Sequence, residues 1–254
     1  MVELSKRTSP EAAELLGART VALLPIGSLE PHGPHLPLDT DVTIALAQAR
    51  RAAQRLEQAG LTVVVLPALP YGLTNYSDGF AGRVTLKPTT LWTLVEDVVN
   101  SLEQQEVRQV VLVNGHLEPE HVRILRGLVA DHPERGPQRA QVVLADVSRK
   151  RWAATLGAEF QSGDCHAGRY ESSLVLCADP GGVREGERRE LPPVRIDLLA
   201  KMAAGVRTFR EAGAVDGYCG DPAAASASEG AELVERLADV VVQTVHETWP
   251  ELFA

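Results

Sequence analysis

At 254 residues, with 44% hydrophobic and 23% charged side chains, the chain has ordinary globular composition and ample length for one large domain. Its net charge of −9 argues against nucleic acid or an anionic membrane surface as the main partner. The opening Met-Val-Glu-Leu-Ser-Lys-Arg lacks the apolar core of a signal peptide, and no stretch approaches the apolar length of a membrane span. Cys165, Cys177 and Cys219 have no metal-finger spacing and are odd in number, so a disulfide framework is not expected, and a soluble, cytoplasmic protein is.

Taken in order, Ser9-Pro10-Glu11 has the features of a helix start: a capping serine, proline at the first helical position and an early acid. That short helix ends at Gly17. The apolar run Thr20-Val21-Ala22-Leu23-Leu24 predicts a buried strand, ended by Pro25 and Gly27. Residues 24–41, LPIGSLEPHGPHLPLDTD, then crowd ionisable side chains into a Pro- and Gly-rich segment. Glu30 and His32 are two apart, so in extended chain they project to the same side, and Asp41 stands where the next helix starts. Alone, Glu30-x-His32 reads more readily as part of a loop held by side-chain to backbone hydrogen bonds than as half of a metal site. Residues 42–59 predict a long helix with Ile44, Ala45, Ala49, Ala52, Ala53 and Leu56 inward and Gly60 at its C-cap. Residues 61–66 predict a second strand, and 71–86 a loop.

Pro88 opens a helix to about residue 105, with Leu91, Leu94, Val95 and Val98 inward. The strand at 109–113 delivers Asn114-Gly115-His116-Leu117-Glu118, where the His/Glu spacing of two recurs beyond a second strand. Strand ends on one face of an α/β sheet converge in space, and five such donors, one able to bridge, suit two divalent ions better than one. Mixed oxygen and nitrogen donors favour Zn²⁺ or Mn²⁺ over Ca²⁺. A helix over 120–132 follows, placing His121 and His132 on its solvated face or at its end, and then a strand over 140–147. Trp152 and Phe160 flank a short helical piece before Gly163-Asp164-Cys165-His166. From Ala167 onward, periodicity leaves strand and buried helix both open. Residues 180–194 read as a polar excursion that wraps the surface or joins an interface, and 226–247 as a final amphipathic helix on Leu233, Leu237, Val240 and Val241. No repeat or long linker marks a second domain, so residues 1–254 are read as one.

The run from Gly27 to Asp41 resembles the signature of the creatininase family of metal-dependent amidohydrolases. So do Asn114-Gly115-His116-Leu117-Glu118, the segment His166-Ala167-Gly168-Arg169-Tyr170-Glu171-Ser172-Ser173, and residues 220–226 (GDPAAAS), in family order over most of the chain. The resemblance implies a three-layer α/β/α domain with a mostly parallel central sheet, and makes the segment after His166 a helix. It implies two divalent ions, Zn²⁺ and/or Mn²⁺: Glu30, Asp41 and His116 for one, His32, Asp41 and Glu118 for the other, with Asp41 bridging. Such a pair acidifies a shared water and polarises a carbonyl, while the departing nitrogen needs a proton. His166 matches the catalytic histidine and is the expected proton shuttle. Glu171 is expected to orient it or to bind substrate, and Asp164 is a further candidate for either role. A small-molecule substrate and a closed homo-oligomer, a hexamer, are likewise implied.

Several positions depart from the family pattern. Ser77 stands where a loop histidine is expected, and Phe80-Ala81-Gly82-Arg83 replaces a Phe-Pro-Gly-Thr element. Arg169 takes the place of an acid, and Ser162 that of a tryptophan found in members that cleave creatinine, which makes creatinine itself a poor candidate. Arg83 and Arg169 together point to an anionic substrate group, a phosphate or a peptide carboxylate. The expected reaction is hydrolysis of an amide C–N bond in a cyclic amide, formamide or related molecule. A peptide-trimming metallopeptidase and a metal-binding subunit without turnover remain alternatives.

Overall fold

The computed structural model describes residues 1–136 and 139–253. Five strands, β1 (Val2–Glu3), β2 (Val21–Ile26), β3 (Val63–Val65), β4 (Gln109–Asn114) and β5 (Gln141–Leu144), form one parallel sheet in the order β1-β3-β2-β4-β5. The helices are α1 (Ser9–Leu15), α2 (Thr40–Gln58), α3 (Pro88–Glu103), α4 (Pro119–Asp131), α5 (Lys150–Ala153), α6 (Ala158–Ser162), α7 (Arg169–Ala178), α8 (Glu185–Glu190), α9 (Leu198–Ala203), α10 (Phe209–Ala212) and α11 (Ala227–Thr248).

Alternation along the strands sends successive side chains to opposite faces, and both faces are buried. Val21, Leu23, Val63, Val65, Val111 and Val113 pack against α2, α7 and α11, while Ala22, Leu24, Val64, Val110 and Leu112 pack against α3 and α4. The result is the expected α/β/α arrangement. It also explains why the strands read as continuous apolar runs rather than alternating ones. None of the described helices is long and apolar enough to cross a membrane.

Local expectations are corrected in places. β2 does not stop at Pro25 but runs to Ile26. The Pro25 carbonyl accepts from Leu69 N (2.9 Å) on the β3 side, where β3 has already ended at Val65, so the missing proline N–H interrupts no strand ladder there. The first helix is capped by Thr8 rather than Ser9: the Glu11 carboxylate accepts from Thr8 N at 2.7 Å and Thr8 Oγ1 at 2.8 Å. In α3 the deeply buried stripe is Leu91, Val95, Val99 and Leu102, and Leu94 and Val98 are half-buried. His121 and His132, expected near solvent, are both buried. His121 accepts from Leu73 N (3.3 Å) and its Nε2 meets Asn114 Oδ1 (3.1 Å), while His132 Nε2 meets Glu103 Oε1 at 2.7 Å. The 180–194 excursion contains α8, whose Arg188 is buried and donates to the Pro222 and Ala223 carbonyls.

Because the strands are parallel, β2 and β4 end side by side, with Ile26 opposite Asn114 and Gly115 N donating to Ile26 O at 2.9 Å. The first turn of α2 lies directly against both ends. A Cβ on Gly27 would stand 2.5 Å from Val42 N, and one on Gly115 would stand 2.3 Å from Asp41 O. These two glycines let the helix come close enough for Asp41 to enter the space between the two strand-end loops.

Candidate metal centre

Glu30, His32, Asp41 and His116 are all nearly inaccessible to solvent. His116 Nδ1 lies 2.9 Å from Asp41 Oδ2 and 3.1 Å from Glu30 Oε2. His32 Nε2 lies 3.3 Å from Asp41 Oδ1 and 3.5 Å from Glu171 Oε2. The two oxygens of Asp41 therefore face different imidazoles, the geometry a bridging carboxylate needs. Ser28 Oγ donates to Asp41 Oδ2 at 2.5 Å and fixes the carboxylate plane.

The other nitrogen of each ring is committed. His32 Nδ1 is 2.9 Å from the Glu30 carbonyl, and His116 Nε2 is 2.6 Å from the Leu73 carbonyl. A carbonyl only accepts, so those nitrogens carry the protons. In the neutral rings this leaves His32 Nε2 and His116 Nδ1 as lone pairs aimed at carboxylate oxygens, and His32 Nε2 is buried with no hydrogen-bond partner. A lone pair facing a carboxylate is repulsive unless a cation lies between them. Histidine that donates its far N–H to a backbone carbonyl is also the usual arrangement of a metal ligand.

The electrostatics make the same demand. Burial pushes Glu30 upward, Glu118 up to about 7 and Glu171 up to about 8. Burial opposes charge on His32 and His116, but the carboxylates around them prevail and raise each to about 10. Asp41, despite its burial, is held well below the usual carboxylate range by those two imidazoles. Among the described residues no Lys or Arg lines the cavity above these groups, so protons or metal ions must supply the positive charge. The donors are oxygens and imidazole nitrogens, which fit Zn²⁺ or Mn²⁺.

His166 adjoins this cluster. Its Nε2 donates to the Pro31 carbonyl (3.0 Å) and lies 3.6 Å from Glu30 Oε1, and its ring stacks on Phe209 with centroids 4.0 Å apart and planes 13° apart. Burial drives its pKa well below the usual value, so it is a neutral base. Glu171, in the first turn of α7, accepts from Ala167 N at 2.6 Å and stands beside His32, so His32, His166 and Glu171 form a second compact group next to Glu30, Asp41 and His116. Glu118 caps α4, lines the cavity and accepts from Tyr76 N at 3.1 Å.

The remaining expected residues lie elsewhere. Asp164 is an anchor: its carboxylate accepts from the backbone N–H groups of Ile196 (2.9 Å), Asp197 (3.1 Å) and Leu198 (2.9 Å). Arg169 is paired with Glu229 (2.7 Å) and Arg83 with Asp78 (2.9 Å), and neither lines the cavity. The structure thus does not bring the two arginines to the site. It brings instead Leu198, Leu199 and Met202 of α9 and Phe209 of α10, from a segment in which the sequence suggested no element. Phe209, placed on the His166 ring, could have been suspected only as one of the chain's four phenylalanines.

Comparison with known proteins places this geometry. The profile of the creatininase family, described as creatinine amidohydrolase, matches residues 5–245. The chain is 32% identical over 259 aligned positions to the mycofactocin precursor peptide peptidase of Mycobacterium tuberculosis, covering 98% of this chain and 92% of that one. Among solved structures, a creatininase described as the Mn form superposes with a TM-score of 0.77 at 24% identity, covering 98% of this chain and 99% of the other. A creatininase mutant of Zn–Zn type gives 0.74 at 23% identity, covering 97% and 98%. With the profile spanning nearly its whole length and buried carboxylate–imidazole groups that could hold metal ions, the chain belongs to the creatininase family of metal-dependent amidohydrolases.

Proposed function

We propose that this protein hydrolyses an amide C–N bond at a two-metal centre: Glu30 and His116 would hold one ion, His32 and Glu118 the other, and Asp41 would be shared between them. The observation that carries the reading is the pair of imidazole nitrogens, His32 Nε2 and His116 Nδ1, that face opposite oxygens of one carboxylate while the other nitrogen of each ring is held by a backbone carbonyl. When bound, the ions supply a nucleophile from water near neutral pH and polarise the carbonyl under attack. The chain does the rest. The Glu30 and Leu73 carbonyls fix both imidazole tautomers, and Ser28 fixes Asp41. His166 Nε2–H, held on Pro31 O, leaves Nδ1 free to take a proton and return it to the departing nitrogen. Phe209 stacked on that ring keeps water from its face. Glu171 Oε2, fixed by the Ala167 N–H at 2.6 Å, stands beside His32 and His166 at the edge of the site.

The substrate is a small molecule or the end of a larger one, since the cavity holds about 250 Å³. A second reading, trimming of a peptide end, is favoured by near-full-length relatives whose name is a peptide peptidase. Location in the cytoplasm and assembly into a homo-oligomer, a hexamer, complete the proposal. The test is His166→Ala. Turnover of a responsive amide should fall roughly 10²–10⁴-fold while both ions stay bound, because His166 is not a ligand. Loss of metal together with rate would place His166 among the ligands instead.

A further inference from the structure

The floor of the cavity is charged, but its wall is not. Leu117, Phe160, Leu198, Leu199, Met202 and Phe209 are its large apolar side chains, and among the described residues no lysine or arginine lines it. Of the cations nearest in sequence, Lys201 Nζ donates to the Ala212 carbonyl, Arg210 lies over the Phe80 ring, 4.6 Å from its centroid, and Arg195 and Arg207 are exposed and outside the lining. An anionic group entering this space would lose its hydration and meet no partner, a costly exchange.

The wall is also built before any ligand arrives. Asp164 holds three consecutive N–H groups at the start of α9, and Tyr76 Oη donates to the Val206 carbonyl at 2.9 Å. Leu199 lies on Gly163, where a Cβ would stand 2.3 Å from its Cγ. Despite that seat Leu199 is 55% exposed, a large apolar side chain at the cavity mouth with one face open. An apolar ligand group would cover that face, and Met202 can adapt to its shape.

We propose that the α9–α10 wall is a recognition subsite for an uncharged aliphatic or aromatic group flanking the scissile amide, so that the substrate is apolar beside the cleaved bond rather than anionic. This rests on the amidohydrolase reading for the cleaved bond, but its test does not depend on turnover. Zn²⁺-loaded protein is titrated calorimetrically with three hydroxamates that share one chelating head: acetohydroxamate, 4-methylpentanohydroxamate and succinic monohydroxamate. The branched alkyl compound should bind roughly tenfold to a hundredfold tighter than acetohydroxamate, and the carboxylate compound no tighter. Met202→Lys should cut the alkyl advantage about tenfold and favour the succinyl compound. If that variant fails to fold, Leu199→Lys, at an exposed position, carries the same expectation. Equal affinity for all three, tightest binding of the succinyl compound, or no binding to metal-loaded protein would overturn the proposal. Alkyl selectivity without turnover of any amide would uphold the subsite and refute the amidohydrolase reading, so the two failures are distinguishable.

Discussion

Replacing Asp164 by alanine isolates the anchor of the α9 wall. The carboxylate is buried and accepts three backbone N–H groups, at 2.9, 3.1 and 2.9 Å from Ile196, Asp197 and Leu198. Asp197 is exposed and Ile196 half-buried, so their N–H groups can turn to water once released. Leu198 is buried, and its N–H would be stranded. A stranded buried donor costs about 1–3 kcal/mol, and each of the two hydrated ones about 0.5–1.5 kcal/mol, giving roughly 2–6 kcal/mol for the variant. Asp197 also holds φ +55°, a left-handed conformation with little reason to persist once the anchor is gone. Urea denaturation reads the loss, and hydrogen exchange across residues 196–203 locates it. Metal content should not change. A destabilisation below about 0.5 kcal/mol, or one accompanied by metal loss, would refute the anchor role and return Asp164 to the catalytic candidates.

Three further outcomes follow from the same geometry. In chelator-stripped protein His32 and His116 rise from 6.5 to about 10, Glu171 from 4.5 to about 8 and Glu118 from 4.5 to about 7, so these four groups hold more protons in the folded chain than in the unfolded one. Stability supplied by them is present below their unfolded values and lost as pH rises through the folded ones, whereas His35, His121 and His166, lowered by burial, act in the opposite sense only as pH passes the ordinary histidine range. The melting temperature should therefore fall from pH 8 to 10, and a rise across that window would contradict the site electrostatics. Gly115→Ala would drive a Cβ to 2.3 Å from Asp41 O and should destabilise the fold by about 1–3 kcal/mol while weakening metal affinity, and an unchanged denaturation midpoint would show that α2 can move away at no cost. The proposed oligomer should scatter light well above the 27.3 kDa of one chain at micromolar concentration, and a monomer would end that proposal.

Much of this was legible in the chain because the signals are local. Continuous Val- and Leu-rich runs mark strands buried on both faces, and the Glu-x-His and His-x-Glu spacings stand directly after two of them, where a parallel sheet brings strand ends together. What was not legible depends on partners far away in sequence. Arg169 looked free until α11 presented Glu229, 60 residues on; Arg83 is the local exception, paired with Asp78 five residues before it. His121 and His132 carry no sign of burial in the sequence, since their partners, Asn114 and the Leu73 N–H for one and Glu103 for the other, come from other elements. The α9–α10 wall is hardest to see. Helices of 6 and 4 residues are too short to show a period, and Asp164, 34 residues before Leu198, holds the first of them in place.

The central claim is that one carboxylate, Asp41, joins two metal ions. Mass-spectrometric metal counting on purified variants tests it most directly, with circular dichroism to verify folding. Two ions per chain are expected in the natural protein, about one in His32→Ala, and none in Asp41→Ala, because Asp41 Oδ1 faces His32 while Oδ2 faces His116. A folded Asp41→Ala protein that keeps two ions would contradict the bridge and the mechanism built on it.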